Sequence, residues 1–356
     1  MDSVNANLAS QLRESKLAVE GALRVAPLCV LPQLLADCGL DPDAELRELG
    51  FDPVFFNEPE NTITFADMGH LLVGAAALTG CASLGLEVGR RSGIEILGII
   101  GRACRFAPDV GTALRFLILH LHLHDRGAIP ALWEGGDEVM LGYTIHSPGV
   151  PGTDHIYDGS LAIIHNIVAE LVGKHWRATE VQLCRTLPTD IAPYTQHFGN
   201  CLRFRAERAA IVFPASDLKL PLASADPRAY AQALKELAAL DALHNPGLAN
   251  KVHRVLLNLL INGSGPDDIG VHSLARLFEL HPRTFNRRLR AEGTTFSNLL
   301  GEARFEIARQ LLRDTRLQIM AIANTLGYAD SASFDHAFQR WSGQNATEWR
   351  AQHRAD

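Results

Sequence analysis

The chain has 356 residues, with 33 Lys and Arg against 40 Asp and Glu, a formal net charge of −7, and 47% hydrophobic and 21% charged residues. That is the composition of an ordinary globular protein able to bury a large core. It contains no apolar run near the roughly 20 residues a membrane span needs.

The first residues, "MDSVNANLASQLRESK", lack a basic segment followed by an apolar one, so no export signal is expected. The six cysteines (Cys29, Cys38, Cys81, Cys104, Cys184, Cys201) form no C-x-x-C pair, so reduced thiols and a cytoplasmic location are expected. Residues 1–22 read as a polar lead-in. From Leu23 to Arg126 the pattern is helical. It includes "VLPQLLADCGL", a helix starting near Thr64 in "TFADMGHLLVGAAALTG", "LGLEVGRRSG", and a helix after Pro108 in "DVGTALRFLILH". From Leu121 the text "LHLHDRGAIPALWEGGDEVMLGYTIHS" alternates around a Gly-Gly pair and predicts a β-hairpin. "GSLAIIHNIVAELVG" predicts a helix ending at Gly173, and "TEVQLCRTL" and "CLRFRAERAAIVFPASDL" predict further strands. Residues 23–222 are thus expected to form an α+β domain. A helical connector over 223–250 follows, broken at Asn245-Pro246-Gly247.

From Lys251 to the end the pattern is helical throughout and contains an internal repeat. In the first copy Leu274, Leu277 and Phe278 line a short helix, and "ELHP" turns into "RTFNRRLRAEG". In the second, Ile319, Ile322, Ala323 and Leu326 line a short helix, and "GYAD" turns into "SASFDHAFQRWSG". Phe285 and Leu289 in one copy match Phe334 and Phe338 in the other. Each second helix ends at a glycine, Gly293 or Gly343. A longer helix, "NLLGEARFEIARQLLRD", joins the copies with Leu300, Ala303, Ile307 and Leu311 on one stripe. Residues 251–356 are therefore expected to be an all-α domain of two helix–turn–helix units joined by a linker helix.

The charge agrees with this division. Residues 251–356 hold 14 basic and 11 acidic residues, whereas the preceding 250 hold 19 basic and 29 acidic. In a helix–turn–helix the second helix offers its exposed N-terminal residues to base edges in the major groove. Arg283, Asn286, Arg287 and Arg290 share one helical face. Arginine can bond guanine bidentately, asparagine can do the same to adenine, and arginine also holds phosphates. In the second unit the polar face carries Ser331, Asp335, His336 and Gln339. Asp335 could accept from cytosine N4, and near phosphates it repels, which favours selectivity over non-specific affinity. The plainer alternatives are a solvated basic face in the first unit and a second unit that mainly packs.

The segment from "SLARLFELHPRTFNRRLRAEG" to "FDHAFQRWSGQNATEWR" resembles the DNA-binding domain of AraC-type transcriptional regulators. The resemblance rests on "RLRAEG", "R-x-x-x-A-R-x-L-L", "I-A-x-x-L-G-Y", "F-x-x-A-F-x-R-W-x-G" and "E-W-R". It implies base-facing positions at Arg283, Asn286 and Arg287, and at Ser331, Ala332, Asp335 and His336. Three positions depart from the family pattern. Ala321 replaces an acidic residue, Asp335-His336 replaces Ser or Thr followed by Arg, and Ala346 replaces the proline of G-x-x-P. "LGLEVGRR", "LGIIGRACRFAPDVGTALRFL" and "YTQHFGNCLRFRAERAAIVFPASDLKLPL" resemble the sensory domain, labelled arabinose-binding, that precedes many such DNA-binding domains. Activation through RNA polymerase is what the resemblance implies.

The histidine run "HLHLHDRG" invites a metal reading, because on a strand His120, His122 and His124 would share one face. Zinc wants three or four ligands, and only Asp125 is at hand, so no metal is assigned. A ligand pocket is the better use of the region. His124, Asp125 and Arg126 open the hairpin, Trp133 and Tyr143 lie within it, and Tyr157 and Asp158 precede the next helix. The alternative is that these are ordinary turn and surface residues. G-x-x-x-x-G-K-[ST], H-E-x-x-H and G-x-S-x-G do not occur, so no enzyme is expected. The expectation is a DNA-binding, effector-responsive transcriptional activator without a cofactor, homodimeric, taking double-stranded DNA, a small-molecule effector and RNA polymerase as partners, with no membrane. The rivals are an interaction protein, or a metal or metabolite sensor, whose second unit no longer reads DNA.

Overall fold

A computed structural model describes residues 22–145, 149–173, 175–244, 247–261, 269–314 and 318–353 of the protein. Apart from Ala22, the expected polar lead-in lies outside these residues, as do Asn245 and Pro246 of the expected connector break. The chain divides into two compact units between Ala239 and Leu240.

In the first unit, β1 (Ala22–Arg24) pairs antiparallel with β2 (Thr62–Thr64). Between them lie α1 (Leu31–Asp37) and α2 (Pro42–Glu48). Thr64 caps α3 (Phe65–Thr79), its Oγ1 accepting from the Asp67 amide at 3.1 Å, so one unpaired donor of the first turn is satisfied. Gly80 ends that helix at φ +65, a left-handed conformation that glycine adopts without a Cβ penalty. α4 (Leu84–Arg90), α5 (Ile99–Phe106) and α6 (Val110–His120) follow.

The start of α6 decides the fate of the histidine run. Asp109 Oδ1 accepts from the Thr112 amide at 2.7 Å, and Leu114, Leu117, Ile118 and Leu121 are buried at helical spacing. The helix therefore reaches His120 and continues as a tight turn over Leu121–Leu123. The hairpin expected from Leu121 begins only at Ala128, and the three histidines do not share a strand face. Burying leucines at helical spacing overrode the local alternation.

β3 (Ala128–Gly135) and β4 (Glu138–Ile145) form the hairpin, turning at Gly136-Asp137 with Gly136 at φ +64. α7 (Thr153–Val172) starts earlier than expected, so Tyr157 and Asp158 lie inside it rather than ahead of it. β5 (Glu180–Leu183), α8 (Ala192–Phe198), β6 (Leu202–Phe204) and β7 (Ala209–Pro214) complete a sheet of order β3-β4-β7-β5-β6, antiparallel except for β5 with β6. α9 (Pro227–His244) buries Ala233 and Leu237 in this first core.

α4 and α7 meet backbone to backbone. A Cβ on Gly85 would stand 2.0 Å from the His155 carbonyl oxygen, and one on Gly89 would stand 2.2 Å from that of Gly159. Only glycine allows this approach.

The second unit is helical: α10 (Leu248–Ile261), α11 (Val271–Leu277), α12 (Pro282–Ala291), α13 (Phe296–Asp314), α14 (Ile319–Thr325), α15 (Ser331–Ser342) and α16 (Ala346–His353). One core joins Leu274, Phe285 and Leu289 to Ile322, Phe334 and Phe338, with Ala303 and Ile307 of α13 between the copies. The repeat extends to the backbone. After α11, Glu279 takes φ +53 and the Leu280 amide donates to the Ala275 carbonyl at 2.8 Å. After α14, Gly327 takes φ +74 and the Tyr328 amide donates to the Ala323 carbonyl at 2.9 Å. Both are helix ends closed through a left-handed residue.

Candidate functional site

The exposed face of α12 holds the residues expected to meet DNA. Pro282 starts the helix, where its missing N–H costs nothing, and His281 Nδ1 accepts from the Arg283 amide at 3.3 Å. Phe285 and Leu289 are fully buried, which turns Arg283, Arg287 and Arg290 outward and leaves Asn286 half-buried beside them. Among the described residues no ion pair engages these arginines, so a cationic surface faces solvent along one helix.

α15 is built on the same plan with different chemistry. Asp330 caps it, Oδ1 accepting from the Ser333 amide at 2.6 Å, and that hydrogen bond holds the carboxyl below its usual range. Phe334 and Phe338 are buried, Ala332 and His336 are exposed, and Ser331 and Asp335 are half-buried. Asp335 Oδ1 accepts from the Ala346 amide at 2.8 Å. Ala346 is the first residue of α16, whose Trp349 packs on Phe338 with ring centroids 5.9 Å apart. One carboxylate oxygen of the aspartate is therefore engaged in holding the last helix, a use that sequence reasoning missed. Two departures from the family pattern explain each other. Proline has no N–H, alanine at 346 does, and Asp335 supplies the acceptor.

In the first unit a cavity of about 90 Å³ lies between β1 and the turn after it, α3, α4, α6, the hairpin and α7. Its walls are mostly Leu, Ile, Val, Met and Pro side chains, and its polar side chains are His124, Asp125, Tyr143, His155 and Ser160. Asp125 is buried, and both its carboxylate oxygens accept hydrogen bonds. Oδ1 accepts from the Gly127 and Ala128 amides at 2.9 and 3.0 Å, and Oδ2 accepts from the Tyr143 hydroxyl. Burial pushes the Asp125 carboxyl up to about 6 against the pull of those three donors. His155 Nδ1 accepts from the Gly85 amide at 3.4 Å. His124 differs. Its Nδ1 is buried without a hydrogen-bond partner, and burial together with the nearby Arg24 charge lowers the imidazole to about 3, so it is neutral.

Of the seven residues expected around an effector, His124, Asp125 and Tyr143 line this cavity and four do not. The Arg126 amide donates to the Ala22 carbonyl at 2.9 Å. Trp133 packs over Gly142 with the Arg208 guanidinium 5.5 Å from its ring centroid. The Tyr157 hydroxyl accepts from the Ile145 amide at 3.3 Å. Asp158 is buried in a polar cluster, its Oδ2 2.5 Å from Arg185 Nη1 and 2.6 Å from the Tyr194 hydroxyl. Burial pushes Asp158 up to about 6, while Arg185 and Tyr194 pull it down. Burial also pulls Arg185 down, but Asp158 more than offsets this and holds it above its usual range. The pair is ionised at neutral pH and ties α7 to the segment before α8. Ser160, His155 and the apolar walls escaped the sequence reading. A helix over the whole of Thr153–Val172 would have placed Ile156, Ser160 and Ile163 on one face. Among the described residues no group of three or more His, Cys, Asp or Glu could hold a metal, and no single helix is long and apolar enough to cross a membrane.

Comparison with known proteins places both halves. A family described as the arabinose-binding domain of AraC transcription regulator, N-terminal, matches residues 39–222, and one described as a helix-turn-helix domain matches residues 274–352. The chain is 27% identical over 322 residues to the ornithine utilization regulator of Pseudomonas aeruginosa, covering 90% of this chain and 94% of that protein. It is 26% identical over 336 residues to the transcriptional regulator VirS of Mycobacterium tuberculosis, covering 92% and 96%. The crystal structure of the transcriptional regulator CdpR from Pseudomonas aeruginosa is 24% identical, with a TM-score of 0.39 over 75% of this chain and 86% of that one. With a ligand-binding type of domain ahead of a duplicated helix–turn–helix, and a family match over more than half its length, the chain belongs to the AraC-type DNA-binding transcriptional regulators.

Proposed function

We propose that the protein is a cytoplasmic, non-enzymatic, effector-responsive activator that works as a homodimer and engages DNA mainly through α12. One observation carries the reading. Arg283, Arg287 and Arg290 stand exposed on a helix whose other side is locked by Phe285 and Leu289. Arg283, Asn286 and Arg287 read base edges, and Arg290 holds a phosphate. α15 contributes through Ser331, Ala332, His336 and the carboxylate oxygen of Asp335 that Ala346 does not occupy. α13 sets the two helices about 34 Å apart, one turn of DNA. Recruitment of RNA polymerase follows from the family resemblance.

The effector is assigned to the first-unit cavity through His124, Asp125 and Tyr143, and its binding favours the pose in which both helices engage. Arg126, Trp133, Tyr157 and Asp158 act behind it, in the hairpin and in the ties of α7. One relative is a regulator of ornithine utilization, but the apolar walls of this cavity favour a different effector here. The test is selection of genomic fragments by the full-length protein near physiological salt, where non-specific phosphate binding is suppressed. A few enriched sites with elements one turn apart support the reading. No enrichment with or without added effector would remove it.

A further inference from the structure

We infer that the first-unit cavity takes a small, uncharged, largely hydrocarbon molecule carrying a single hydroxyl or carbonyl group, which meets the His124 imidazole. The inference deepens the proposed sensory role and rests on it. Three observations carry it. The walls are hydrocarbon on every element that contributes, with Leu97, Leu117, Leu141 and Ile164 among them. Several polar groups at the wall already have partners: Asp125 accepts from two amides and from the Tyr143 hydroxyl, and His155 Nδ1 accepts from the Gly85 amide. His124 lines the cavity, is only 5% exposed, and carries a ring nitrogen that no hydrogen bond satisfies.

That inventory selects the ligand. A neutral imidazole nitrogen can donate to a carbonyl or accept from a hydroxyl, according to tautomer. A sugar would bring several hydroxyls to a wall that is mostly hydrocarbon, and each unmet hydroxyl costs free energy on burial. An amino acid would bring two charges. Arg24 already pairs with Glu60, and Asp125 already accepts from three donors, so neither charge meets an unengaged counterion. Size narrows the choice further. The cavity of about 90 Å³ is smaller than the roughly 150 Å³ that admits benzene, so about three or four carbons fit before wall side chains must move.

The experiment uses the full-length protein with straight-chain primary alcohols from ethanol to octanol, read by calorimetric titration and thermal shift at low millimolar ligand. The expected result is a rise in Tm that peaks at about three or four carbons and then falls. L-arabinose and L-arginine should give none. Leu97→Phe, which narrows the cavity, should weaken the best alcohol at least tenfold. Ile164→Phe tests the same wall should the first variant not fold. His124→Leu should keep hydrocarbon binding but lose about tenfold of the preference for an alcohol over the alkane of equal length. Absence of any shift with the series in a folded wild type overturns the inference. Binding of the sugar or amino acid that Leu97→Phe abolishes overturns the ligand class while sensing stands. An alcohol that binds as expected without changing DNA affinity supports the ligand class and removes the effector role.

Discussion

The two helix–turn–helix units share a backbone and differ in almost everything that backbone presents. Glu279 and Gly327 occupy the same left-handed position, the amides after them close the same way, and Phe285–Leu289 and Phe334–Phe338 fill the same core. Outward, one helix shows four arginines and an asparagine capped by an imidazole. The other shows Ser331, Ala332, Asp335 and His336 capped by a carboxylate. Duplication preserved what packing requires and released what solvent and DNA see. A repeated fold is therefore no argument for a repeated function.

That contrast can be tested from its strongest element downward. Phe285→Ala and Phe334→Ala remove equally buried rings, so each should cost about 3–5 kcal/mol of second-unit stability by denaturant unfolding. A large inequality would break the claim of equal packing. Arg287→Ala should weaken specific DNA binding by about 1–3 kcal/mol and relax preference at one base pair, with His336→Ala costing clearly less. Equal losses in a binding titration would show that both helices read alike. Asp335→Ala should cost about 1 kcal/mol of stability by leaving the Ala346 amide unpaired, and adding Ala346→Pro should restore most of it. A double-mutant cycle without coupling would remove the Asp335–Ala346 link. Glu279→Gly should stabilise by about 0.5 kcal/mol, because glycine relieves the left-handed strain at some entropic cost. Gly327→Ala should destabilise by a comparable amount, as seen in the shift of the thermal midpoint.

The second unit was legible because its apolar residues recur at helical spacing and its turns end on glycine or proline. Leu274, Phe285, Ile322 and Phe334 could be placed inside from the sequence alone. What Asp335 does was not legible, since its partner lies in the next helix and is a backbone amide. In the first unit the alternation Leu-His-Leu-His fitted a strand. The outcome depended on the cap at Asp109 and on Leu114, Leu117 and Leu121, which lie before or within the ambiguous stretch and bury only on a helix. His124, Asp125 and Tyr143 were found because polar residues set in apolar text are conspicuous. The wall opposite them comes from α3, α4 and α7, far away in sequence, and no local pattern announces such a convergence.

The glycine contact between α4 and α7 has a mechanical meaning. Side chains normally separate two helices and let them shift slightly past one another. Here the carbonyls of His155 and Gly159 rest directly where Gly85 and Gly89 have no side chain. A pair joined in this way has no play, so it moves as one body. Any swelling of the adjoining cavity must be taken up by its other sides, at Met68, Leu97 or the hairpin. The joint thus leaves these two helices the least room to shift, and a change in cavity volume falls on the walls that side chains build.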